Sequence, residues 1–125
     1  MAVDFTTYLY PQSADYTGGQ TIGQHAFERV LGGLSAFQRV DFEPENIAQT
    51  QAIVAELETQ LNASYVASAP YFPQPLVPTD TGVDIRTMLA INYAGCFARF
   101  DIFGDAAKVA QNAIAYADAY ITNAP

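Results

Sequence analysis

Four prolines within nine residues divide this chain in two. The stretch PYFPQPLVP, Pro70 to Pro78, lacks the backbone N–H groups and the φ freedom that a helix interior or a central strand requires. Regular structure is confined to the segments on either side, and the stretch itself is expected as an ordered, extended crossover. At 125 residues the chain has the size of one domain, so the two sides must share one hydrophobic core.

Both flanks read as helix. On the N-terminal side, Ile22, Ala26, Phe27, Val30, Leu31 and Leu34 recur at helical spacing, and Gly32-Gly33 followed by Ser35 marks an expected end. A second helix starts near Pro44, which suits a first helical position, with Glu43 and Glu45 complementing the positive helix end. Its stripe is Ile47, Thr50, Val54, Leu57, Leu61 and Tyr65, opposite Gln49, Gln51, Glu58 and Gln60. Beyond the prolines, Thr81 and Asp84 resemble a capping box. They open a third helix through Val83, Ile85, Met88, Leu89, Ile91, Cys96, Phe97 and Phe100, apolar on most sides and so expected at the centre of a bundle. Gly104 breaks the chain before a fourth, alanine-rich helix with its apolar set at Ala106, Val109, Ala110, Ala113, Ile114, Ala117, Tyr120 and Ile121.

Residues 1–20 have no such period. They are rich in Thr, Tyr, Gly and Gln, carry Pro11 and Gly18-Gly19, and offer Phe5, Tyr8 and Tyr10 as aromatic anchors. The expectation is an extended arm over 1–20, lying on its own domain or reaching a neighbouring copy, followed by a helical domain over 21–125. The fold class is all-α: a four-helix bundle-like domain with a proline-rich crossover and an extended N-terminal arm.

Composition narrows the partners. Thirteen carboxylates against five Lys and Arg give a net charge of −8, which repels free nucleic acid and anionic membrane. No stretch approaches the length of a spanning apolar helix, and the N-terminus lacks the basic start of a signal peptide, so a soluble, unprocessed chain is expected. Eight Tyr and eight Phe with only 14% charged residues suit large interfaces between subunits. Cys96 has no partner for a disulfide within the chain and is read as a buried thiol.

The chain offers little for catalysis. His25 is the single histidine; with Glu28 it makes a polar surface pair, two ligands short of a metal site. The glycine-rich run Gly18 to Gly23 lacks the Lys-Ser/Thr ending of a phosphate loop. Glu56 and Glu58 point in different directions on one helix, and Asp101 and Asp105 flank a turn where capping is the simpler role. No catalytic, cofactor-binding or metal-binding residue is assigned. The candidate interface residues are Phe5, Tyr8 and Tyr10 in the arm, Tyr71 and Phe72 in the crossover, and Arg86 and Arg99 on the third helix. For the aromatic residues of the crossover, internal packing is the competing role. For the arginines it is an exposed tip or an ion pair within the chain.

The order of elements from Ile47 to Ile121 resembles the head-tail connector (adaptor) proteins of tailed bacteriophages. The likeness runs through the amphipathic IAQTQAIVAELETQLNASYV, closing on Leu61 and Tyr65, then PYFPQPLVP, the apolar IRTMLAINYAGCFARF and an Ala-rich last helix. The longer Tyr- and Gly-rich arm departs from the family's short helical start. What the resemblance implies is a virion neck protein, assembled in the host cytoplasm as a ring of twelve copies. It would contact the portal protein and a neck or tail-completion protein, and let double-stranded DNA pass without specific binding. An acidic lumen fits that role, since phosphate contacts are what make DNA adhere. Two other classes compete with it: a stand-alone helical binding or regulatory module with a ligand cleft between its last two helices, and, more weakly, an acid-base enzyme built on Asp101 and Asp105.

Overall fold

A hydrogen-bonded collar at Thr21 starts the first helix. Thr21 Oγ1 accepts from the Gln24 backbone N–H at 3.1 Å, and Gln24 Oε1 accepts from the Thr21 N–H at 2.9 Å, a reciprocal capping box. The computed structural model describes Phe5 and residues 21–38, 44–64, 85–99 and 105–123, with backbone only at 35–38 and 44–45. Within these residues the protein is all-α: α1 (Ile22–Gln38), α2 (Pro44–Ala63), α3 (Ile85–Ala98) and α4 (Ala106–Asn123). The crossover Pro70–Pro78, the box at Thr81 and Asp84, and the arm apart from Phe5 lie outside the described residues.

The helices form a four-cornered bundle. Side by side stand α1 with α2, α2 with α4, α4 with α3, and α3 with α1, while α2 and α3 meet only marginally across a diagonal. The two short connections, residues 39–43 and 99–105, join neighbouring corners. Residues 64–84, which carry the four prolines, connect the diagonal pair.

Each helix buries one line of residues. In α1 these are Ile22, Ala26, Val30 and Leu34, all fully buried. In α2 they are Asn46, Thr50, Ile53, Leu57 and Leu61, a line rotated slightly from the expected stripe: Ile53 takes the deep position, and Ile47 and Val54 are half-buried. Thr50 tolerates burial because its hydroxyl donates to the Asn46 carbonyl at 2.6 Å. In α4 the line is Val109, Ala110, Ala113, Ile114 and Ala117, and Asp105 caps its start by accepting from the Lys108 N–H at 3.1 Å. Tyr120, expected among the packing residues of α4, points to solvent instead.

Two further expectations change. α1 does not stop at Gly32-Gly33 but runs on to Gln38, because Gly33 is where α1 meets α3. A Cβ on Gly33 would collide with the carbonyl oxygen of Gly95, and one on Gly95 would lie 2.9 Å from the Arg29 carbonyl oxygen. Backbone packs directly on backbone here, and that closeness offsets the roughly 1 kcal/mol that a helical glycine costs. The second change is Cys96, which is exposed. α3 buries Met88, Ala90, Ile91, Ala94 and Ala98, and the small Ala90-Ala94-Ala98 line draws that face inward, turning Cys96 outward.

The contrast between adjacent glycines is testable by urea unfolding. Gly33→Ala should lose on the order of 2 kcal/mol through overpacking. Gly32→Ala, where nothing lies within 4 Å of an added Cβ, should gain about 0.5–1 kcal/mol from the better helix former.

Candidate functional site

α4 carries the two large apolar side chains that stand exposed among the described residues. Between Gln111 and Asn123 the single charged residue is Asp118, in a chain whose net charge is −8. Tyr116 and Tyr120, one helical turn apart, are 56% and 57% exposed. The Tyr116 ring leans on Phe97 of α3, edge to face with centroids 4.9 Å apart, and on Tyr93 at 5.8 Å. Tyr93 and Phe97 in turn stack at 6.2 Å. These three rings fill the α3–α4 seam, and Tyr120 extends the aromatic surface outward.

Arg86 sits behind this face. Its side chain is 7% exposed, and Nε and one terminal nitrogen donate to the two Asp118 carboxylate oxygens at 2.7 and 3.2 Å. It also donates to the Ser64 carbonyl at 2.9 Å and to Ser64 Oγ at 3.0 Å. One guanidinium therefore ties the C-terminal end of α2 to α3 and α4, and it satisfies a helix-end carbonyl that would otherwise lack a partner. Of the two roles open to Arg86, the structure places it in an ion pair within the chain. Arg99 is exposed at the end of α3, and among the described residues it makes no ion pair.

Phe5 lies on its own domain, 2% exposed within the core. Its N–H donates to Glu58 Oε2 at 2.7 Å, and its carbonyl accepts from the Gly23 N–H at 2.9 Å, one of the donors at the start of α1 left without a helical partner. Phe5 therefore pins α1 to α2 and is not open to a neighbouring copy. Tyr8, Tyr10, Tyr71 and Phe72 lie outside the described residues. Tyr116 was absent from the expected interface and Tyr120 was assigned to packing. The available signal was their spacing of four, one helical turn, near the C-terminal end of α4.

The acids and the histidine have local tasks. Glu58 holds Phe5, Glu56 accepts from Gln60 Nε2 at 3.0 Å, and Asp105 caps α4. Asp101 lies outside the described residues, which contain no convergent group of three His, Cys, Asp or Glu. His25 is half-buried, and its pKa is lowered first by desolvation and then by the charge of Arg29, against an opposing pull from Glu28. No described helix is long and apolar enough to cross a membrane. Comparison with protein-family models, with curated proteins and with solved structures finds no match to this chain.

Two outcomes follow for stability. Asp118→Ala strands a buried guanidinium and should cost roughly 2 kcal/mol, below the range for a fully buried pair because Asp118 is half exposed; Arg86→Met, which removes the buried charge itself, should cost less. Urea midpoints of both variants check this. At His25 the unfolded chain binds the proton more readily than the folded one. Stability should therefore fall as pH drops below 6.5 towards the lowered folded value, and be fully present above 6.5. Denaturation at pH 7.5 and 5.5 should show a smaller loss for His25→Gln than for the wild type.

Proposed function

We infer that this chain is a structural subunit of a tailed-bacteriophage neck, a head-tail connector that assembles as a ring between portal and tail and acts through its surfaces. The observation that carries the reading is the α4 face. It carries the two exposed large apolar side chains of the described residues, Tyr116 and Tyr120, with Asp118 the one charge between Gln111 and Asn123, and exposed aromatic rings are what an interface centre is built from. An isolated acidic domain gains solubility from charge on every side. A face with two exposed aromatic rings one turn apart is best explained by a macromolecule that covers it.

The acidic remainder supports the same reading. A ring subunit beside passing DNA does its work by not binding, and a net charge of −8 supplies no counterion-releasing contacts to phosphate. The four-helix architecture and the diagonal crossover agree with the element order that carries the connector resemblance. A ligand cleft between the last two helices has less support, because Tyr93, Phe97 and Tyr116 occupy that seam. Acid-base catalysis has less again, since Asp105 serves as a helix cap.

The test is affinity purification of the tagged chain from a phage-producing culture, with mass spectrometry and negative-stain imaging of what accompanies it. Co-purification of a portal-like ring protein with ring-shaped particles is expected. A lone monomer with no virion protein, even at high concentration, would overturn the assignment.

A further inference from the structure

A cleft of about 250 Å³ opens between α1 and α3. Arg29 and Arg99 line it together with Gly32, Gly95, Asn92 and Cys96, and Glu28 reaches it from α1. Its position follows from the glycine contact: Gly32, Gly33 and Gly95 contribute no side chain to the groove beside it. Gly32 leaves one wall bare, with nothing within 4 Å of where its Cβ would stand. Two features set the cleft apart chemically. Of the five cationic residues, Arg86 is bound to Asp118, Lys108 starts α4, Arg39 lies outside the described residues, and both remaining arginines are here. Arg29 and Arg99 make no ion pair among the described residues. The second feature is its walls, which Gly32, Gly33 and Gly95 leave without side chains.

We propose that this cleft receives Tyr120 from α4 of a second copy of the chain. A tyrosine meets each demand of the cleft. Its flat ring suits glycine walls, and its π face attracts guanidinium groups. Tyr120 is the side chain positioned to do this. It is 57% exposed, it has no ring contact among the described residues, and its helix face is uncharged apart from Asp118. Two chains of charge −8 repel over most of their surfaces, so a neutral face meeting the arginine-lined cleft is the approach that electrostatics favours. Knob and cleft belong to different corners of the bundle, α4 against α1 and α3, so the contact is heterologous and propagates from copy to copy, as a ring requires. This proposal rests on the connector reading and names the contact that would build the ring.

Cys96, exposed in the cleft and the single cysteine of the chain, is a built-in reporter. Full-length protein is labelled with a maleimide over a range of concentrations while its mass is followed by light scattering. Labelling of Cys96 should slow at least tenfold as the chain associates. Tyr120→Cys under copper-catalysed oxidation should give a ladder of disulfide-linked oligomers joined through Cys96, and the ladder should vanish when Cys96→Ser is added. Gly32→Leu, which plugs the cleft from an open position, should keep the helical circular dichroism and thermal unfolding of the wild type yet remain monomeric. Rings in which Cys96 is labelled at the monomer rate, or Tyr120→Cys products that stop at a dimer insensitive to Cys96→Ser, would overturn the proposal and leave the connector reading standing. A chain that is monomeric at every concentration and brings down no virion protein would end both.

Discussion

The contact of α1 with α3 at Gly33 and Gly95 governs much of this structure, because it sets how near two of the four helices stand. Side chains normally hold packed helices 8–10 Å apart. Here the carbonyl of Gly95 occupies the space a Cβ on Gly33 would need, and the carbonyl of Arg29 crowds the same point from the other side. Once α1 and α3 are drawn together, alanine suffices to fill the interior. This is why Ala26, Ala90, Ala94 and Ala98 are fully buried while, of the described rings, Phe27, Tyr93, Phe97, Tyr116 and Tyr120 lie part-buried or exposed. The same closeness keeps α1 helical through two glycines that would otherwise end it. Tertiary packing outweighs a local preference of about 1 kcal/mol per residue.

The far side of α3 is fastened differently. Arg86 gathers Ser64 and Asp118 into one hydrogen-bonded knot linking α2, α3 and α4. Because α2 and α3 sit on a diagonal with little direct packing, this knot and the core between them hold the pair together. The knot also bears on the surface, for it engages the one charge on the outer face of α4 and leaves the tyrosines as that face's most prominent groups. Phe5 acts in a comparable way at the start of α1, where two main-chain hydrogen bonds and a buried ring join the arm to the bundle.

The helices were legible where apolar spacing was strict. Pro44 marked the start of α2, and the alanine line of α4 was plain. The helix faces were harder to read. In α2, Ile53 and Val54 are equally apolar, and the choice between them depends on where α1 and α4 stand, which periodicity alone does not contain. In α3, apolar residues on most sides suggested full burial, yet the face that turns inward is the one with the smallest side chains. Cys96 came out exposed for that reason. The candidate surface was less legible still. Phe5 and Arg86 have the residue types of interface anchors, but their long-range partners Glu58 and Asp118 lie 53 and 32 positions away in the chain. Nothing in the local sequence announces them. The capping box of Thr21 and Gln24 was readable and is the clearest missed signal.

Charge placement connects fold and function. A chain with 14% charged residues and a net −8 has few cations, and internal structure has already claimed Arg86. What is left is asymmetric, with a neutral aromatic face on α4 and two arginines beside the α1–α3 cleft. Asymmetry of this kind disfavours a symmetric pair, in which like faces would meet and leave the arginines facing water. It favours unlike faces in contact, the condition for a chain of subunits that closes into a ring. Two carboxylates stand near the proposed contact, Glu28 at the cleft and Asp118 held by Arg86. One distribution of charge thus serves both halves of the proposed role, cohesion between copies and indifference to the DNA between them.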